Sequence, residues 1–142
     1  MSRLVIDASV AAKWSFKDET LIREAMALLD RYGRRELQLL VPDLFWAESG
    51  NILWKAVRRG RCTRDNAESH MAALKDLNLA TIPSEGLIAQ AFNIATDFNR
   101  TVYDSIYVAL AVESRAELVT ADEKLANAVA AYLPVKWLGA LS

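Results

Sequence analysis

Residues 3–14 read RLVIDASVAAKW. Leu4, Val5 and Ile6 form a short apolar run that reads as a buried strand. Asp7 ends it, and a helix of small residues begins at once. Asp is a favoured helix cap. A carboxylate at a strand tip is also where sites form in parallel α/β sheets. Asp7 alone leaves both readings open, and the rest of the chain has to decide.

Working outward, short apolar runs alternate with helical patterns. LQLLVP at 37–42 is a second strand, LATIP at 79–83 a third, ELVTAD at 117–122 a fourth, and VKWL at 135–138 a short fifth. Residues 19–35 place Leu21, Ala25, Leu28 and Leu29 at helical spacing, with Tyr32 one turn on. Residues 43–60 form a helix with Asp43 near its start and Gly60 at its end. Thr63 caps the helix of 63–78, and Ser84 opens that of 84–99. TVYDSIYVALAVES at 101–114 is apolar nearly all round and should be buried. EKLANAVAAYL at 123–133 is a short helix. Strands alternating with helices imply a parallel sheet with right-handed crossovers. The expected fold is α/β: a three-layer sandwich with a central parallel sheet of four to five strands flanked by helices. The 142 residues suit one domain spanning 1–142.

The bulk composition excludes several classes. A hydrophobic fraction of 53% and a charged fraction of 25% are those of a globular domain. The net charge of −1 is not that of a polycation that coats nucleic acid, so any such contact needs a local patch. The single cysteine, Cys62, allows no internal disulfide and fits a reducing cytoplasm. No apolar run approaches the ~20 residues of a membrane helix, and Asp7 interrupts the first one too early for a signal peptide.

Four acids stand where a purely structural protein rarely puts them. Asp7 follows the strand LVI, and Asp122 follows LVT. Glu48 shares a helix face with Leu44, Phe45 and Ile52, so it points towards the core side with no cation one turn away. Asp104 opens the most apolar helix, beside Tyr107 and Val108. Singly, three of these have plain readings as caps or helix-dipole partners. Together at the carboxyl edge of a sheet they would repel strongly. A divalent cation resolves the repulsion, and oxygen-only ligands favour magnesium or manganese over zinc. Such ions hold phosphate oxygens and acidify water, which points to metal-dependent phosphoryl chemistry.

At these positions the sequence resembles the PIN-domain ribonucleases, most closely their VapC-type toxin branch. The resemblance runs in order through VIDASVAAKW, WAESGNILWKA, TVYDSIYVALA and LVTADEKLA, over nearly the whole chain. The family's first acid falls on Asp7, its helical glutamate and following Asn on Glu48 and Asn51, its third acid on Asp104, and its fourth on Asp122. The resemblance implies a magnesium- or manganese-dependent endoribonuclease, homodimeric and restrained by a co-expressed small antitoxin. Asp7, Glu48 and Asp104 would hold the metal, with Asp122 as ligand or support. Metal-activated water would attack phosphorus in line, leaving a 5′-phosphate and a 3′-hydroxyl. Ser9, Asn51 and Thr120 would lie behind the ligands. For Ser9 and Thr120, roles as cap and turn residues are equally open.

KAVRRGRCTR at 55–64 carries Lys55, Arg58, Arg59, Arg61 and Arg64 with no acid among them. It is a candidate grip for RNA phosphates or for the antitoxin, although cations at a helix carboxyl end are also favoured by the dipole. Trp14, Phe45, Trp46 and Trp54 are expected mainly in the core, with one or two free for a partner groove. His70 is the only histidine, which disfavours a metal-free ribonuclease built on a histidine pair. Three rivals remain. A phosphoacceptor receiver domain fits poorly, because its middle strand would need a terminal Asp and these strands end LVP and TIP. A PIN-like module that binds RNA or a partner without cutting is the main alternative. A nuclease for DNA flaps ranks low, since no extra DNA-binding region is evident.

Overall fold

The computed structural model describes residues 1–141. Among them five strands form one parallel sheet in the order β3-β2-β1-β4-β5. These are β1 (Ser2–Ile6), β2 (Leu37–Pro42), β3 (Ala80–Ile82), β4 (Glu117–Thr120) and β5 (Val135–Trp137). The helices are α1 (Ala8–Ser15), α2 (Ile22–Gly33), α3 (Leu44–Arg58), α4 (Arg64–Asp76), α5 (Ile88–Phe98), α6 (Val102–Ser114) and α7 (Glu123–Val129). Each stretch read from the sequence as a helix or strand has its counterpart. The main differences are at the ends, where the helix read over 84–99 opens with a 3-10 turn at Glu85–Leu87.

The strand order reverses direction after β3. Steps from β1 to β2 to β3 run one way across the sheet, and those back to β4 and β5 run the other. With right-handed crossovers the connecting helices therefore lie on opposite faces. The packing agrees: α1 contacts α2 and α3, α3 contacts α4, and α5 packs separately against α6. The neighbours β1 and β4 meet at the reversal, with Ile6 paired to Val119. A parallel sheet opens its crevice at that point, outside the carboxyl ends of the strands.

The core fills both sides of this sheet. Val5, Ile6, Leu39, Val41, Leu118 and Val119 are buried on the strands, and Phe45, Leu28, Leu87 and Leu125 seal them from the helices. Burial of each such side chain contributes about 1.5–3 kcal/mol. Helix α6 is buried from Ser105 to Ala111, as its all-round apolarity requires. Trp14 donates its indole N–H to the Ala25 carbonyl at 2.8 Å, tying α1 to α2. Trp46 donates to Thr81 Oγ1 at 3.1 Å. Trp54 is the exception among the tryptophans, 53% exposed with the Arg58 guanidinium 5.2 Å from its ring. Among the described residues, no helix is long and apolar enough to cross a membrane.

The polar residues at the helix starts play different parts. Asp43 precedes α3 without capping it through its side chain. Its carboxylate instead accepts from the Ser84 N–H at 3.2 Å and from the Ser84 hydroxyl, which joins the ends of β2 and β3. The Ser84 hydroxyl holds Asp43 below the ordinary carboxylate range. Thr63, in contrast, caps α4 as expected, accepting from the Asn66 N–H at 3.1 Å.

Candidate active site

Asp7 is both cap and site residue. Its Oδ1 accepts from the N–H groups of Ser9 (3.1 Å) and Val10 (3.3 Å), which are orphan donors in the first turn of α1. The Ser9 hydroxyl donates to the same oxygen at 2.5 Å. The Thr120 hydroxyl donates to Oδ2 at 2.5 Å. Behind them, the Asp122 N–H donates to Thr120 Oγ1 at 3.1 Å and the Ala121 N–H to Ser9 Oγ at 3.1 Å. Two strand-to-helix turns are thus sewn together through one carboxylate. Asp7 is nevertheless only 8% exposed, and burial pushes its pKa up to about 6. The Ser9 and Thr120 hydroxyls and the Val10 N–H pull it down, and the Asp104 charge adds to the rise.

Around Asp7 opens a cavity of about 300 Å³ lined by Ser9, Glu48, Asn51, Lys55, Asp104, Tyr107 and Asp122. All four acids singled out in the sequence share this one wall, contributed by the ends of β1 and β4 and by α3 and α6. Asp122 also caps α7, accepting from the Leu125 N–H at 3.2 Å. Asp104 does not cap α6; Thr101 does, at 3.0 Å to the Asp104 N–H. Asp104 faces the cavity from the first turn.

Glu48 corrects one expectation. It lies half-buried on the cavity wall rather than in the core. Its partner comes from another helix: the Tyr107 hydroxyl donates to Oε1 at 2.6 Å. Burial, and then that bond, raise the Tyr107 pKa, so the phenol stays a donor.

The other named residues divide. Thr120 is fully buried behind Asp7. Asn51 and Lys55 follow Glu48 along α3 onto the cavity. Arg58 and Arg59 are exposed outside it. Arg61 is occupied, 3.1 Å from Asp18 and 3.4 Å from Glu19, with its guanidinium 4.5 Å from the Phe16 ring. The run 55–64 has no acid of its own, but the fold brings two to Arg61. His70 packs near Phe16, its ring 6.3 Å away, remote from the acids in sequence and outside the cavity lining.

Two contributors were not read from the sequence. In the sequence Tyr107 stands out only as a neighbour of Asp104. Arg100 carries no signal there, though it lies four residues before Asp104. Its Nη2 stands 3.3 Å from Asp104 Oδ2 and 3.8 Å from Asp122 Oδ2.

The donor set is wholly oxygen, which suits a hard divalent cation. Among the described residues, no three acidic, histidine or cysteine side chains are close enough to grip one ion as they now stand. Arg100 and Tyr107 hold three of the four acids in that arrangement. The set fits such a cation in donor type and in its shared cavity, with side-chain rotation needed to close on it.

Comparison with known proteins agrees with this architecture. The PIN domain family matches residues 4–130. Ribonuclease VapC3 of Pyrobaculum aerophilum is 33% identical over 127 residues, spanning 88% of this chain and 93% of its own length. The crystal structure of PAE2754 from Pyrobaculum aerophilum superposes with a TM-score of 0.70 at 24% identity, covering 89% of this chain and 79% of that one. A toxin-antitoxin complex from Klebsiella pneumoniae gives 0.65 at 18% identity, covering 94% and 95%. At those identities the two structures speak for the fold, while the family match and the VapC3 relative speak for descent. The chain belongs to the PIN-domain family, in its VapC branch.

Proposed function

We propose that this protein is a magnesium- or manganese-dependent endoribonuclease, the toxin of a toxin-antitoxin pair, working on RNA in the cytoplasm as a homodimer. The observation that carries the reading is the single cavity at the carboxyl edge of the sheet, walled by Asp7, Glu48, Asp104 and Asp122. The 33% identity to Ribonuclease VapC3 supports RNA as the substrate. The likeness to a toxin-antitoxin complex supports a small antitoxin as partner.

Asp7, Glu48 and Asp104 would hold the cation, with Asp122 beside them. When bound, the cation supplies charge to the phosphate oxygens and acidifies water for in-line attack on phosphorus, giving a 5′-phosphate and a 3′-hydroxyl. The chain's own residues do the positioning. Ser9 and Thr120 fix both oxygens of Asp7, so that it meets the cation in one orientation. Tyr107 fixes Oε1 of Glu48 and leaves Oε2 free. Lys55, on the same wall, offers the scissile phosphate a cation.

The test is incubation of antitoxin-free protein with total cellular RNA and manganese, with an EDTA lane and an Asp104→Asn protein. Discrete cleavage, lost in both controls, is the expected result. Intact RNA together with measurable RNA binding would replace this reading with that of a binding module.

A further inference from the structure

Arg100 stands in an awkward place. It precedes the capping residue Thr101, at the amino end of α6. The helix dipole is positive there and disfavours a cation. Its Nε is buried with no hydrogen-bond partner. A buried unpaired donor is costly. The backbone nonetheless fixes it: Asn99 turns into the left-handed region at φ 55°, and the Arg100 N–H closes α5 on the Ala95 carbonyl at 3.1 Å. What compensates is the pair of carboxylates, Asp104 at 3.3 Å and Asp122 at 3.8 Å, reached by the same nitrogen.

We infer that Arg100 is a resident counter-ion of the acidic cavity, holding Asp104 and Asp122 until a divalent cation takes them over. The inference rests on the metal-dependent reading above and adds a competition to it. One guanidinium nitrogen engages one oxygen from each of two acids that the cation would need. Loading therefore breaks the Arg100 contacts, and in the empty site Arg100 offsets part of the charge of the two acids without metal. Arg100 is a positioning residue: it sets where two carboxylates point and how readily they are released. A lysine would keep the charge on a single nitrogen, which is all that the two contacts use, and so isolates the part that charge plays.

The experiment is titration of the purified, EDTA-treated full chain with Mn2+ alone, by calorimetry. Wild type is compared with Arg100→Gln and Arg100→Lys. Thermal unfolding of each is followed in EDTA and in excess Mn2+. Competition predicts about three- to tenfold tighter Mn2+ binding in Arg100→Gln, the scale of a released, partly exposed ion pair. Arg100→Lys, which keeps the charge, should bind about as tightly as wild type. In EDTA the Arg100→Gln midpoint should fall by about 2–6 °C, and Mn2+ should close that gap. Equal or weaker Mn2+ binding in Arg100→Gln overturns the proposal. Binding in Arg100→Lys as tight as in Arg100→Gln also overturns it, because the retained charge would then not compete with the cation. Mn2+ binding by none of the three proteins overturns the metal-dependent reading itself, and the competition with it.

Discussion

The Thr120 hydroxyl donates to Asp7 Oδ2 at 2.5 Å, across 113 residues of chain. The bond exists because β1 and β4 are parallel neighbours whose register puts the two strand ends side by side. Replacing Thr120 by Val keeps the shape and removes the donor. It also strands the Asp122 N–H, which donates to the same hydroxyl. The expected loss is about 1–3 kcal/mol of stability. The Asp7 pKa should move further up, because Thr120 is one of the groups that lower it. Carboxyl-carbon NMR titration in the absence of metal reads the second effect, and an unmoved Asp7 would contradict the geometry.

Asp7 also makes a signed pH prediction. Its pKa is raised from 3.8 to about 6 on folding. Between those values the folded state holds a proton that the unfolded chain releases. Stability from this group is therefore full below pH 4, falls as pH rises, and levels off above about pH 6.5. The total fall is about 3 kcal/mol. Denaturant melts in EDTA of wild type and Asp7→Asn should differ by an amount that changes over this window. A pH-independent difference would mean that Asp7 is not desolvated as described.

Glu48 and Tyr107 couple α3 to α6 through one bond of 2.6 Å. Tyr107→Phe should cost about 0.5–1.5 kcal/mol in stability. It should also slow RNA cleavage, since Glu48 loses its fixed orientation. Comparing the melt with single-turnover rates at saturating manganese separates the two. A rate unchanged in a destabilised protein would place Tyr107 in the scaffold alone.

The cations of 55–64 should behave as two groups. Arg58 and Arg59 are exposed, so replacing both by Ala should weaken RNA binding. It should also reduce the slope of log K against log salt by about 1.4, at about 0.7 per phosphate contact on single strands. Arg61 is held by Asp18, Glu19 and Phe16. Arg61→Ala should lower the unfolding midpoint and leave the salt slope alone. Filter binding of RNA at several salt concentrations tests both, and an altered slope in Arg61→Ala would move that residue into the RNA path.

Gly139 offers a packing test far from the cavity. A Cβ there would lie 2.5 Å from the Trp137 ring. Gly139→Ala should cost about 1–3 kcal/mol through the forced shift of the indole, measured by denaturant unfolding with RNA cleavage intact.

Much of this molecule is written locally in its sequence. Apolar runs of strand length and helical spacing depend only on near neighbours, so the order of β and α elements was legible, as was burial along α6. The positions of Asp7 and Asp122 at strand tips follow from the same local reading, and a parallel sheet directs such tips to one edge. The partners of those acids were not legible. Tyr107 reaches Glu48, Arg100 reaches Asp122 and Ser84 reaches Asp43 only after distant segments pack together. Arg61 looked free in its basic run because the acids that hold it come from the loop after α1. Hydrophobic periodicity records which face of an element is buried. Hydrogen bonds and ion pairs fall off within a few ångströms and depend on register, crossover and turn geometry, so only the tertiary structure decided which charges meet.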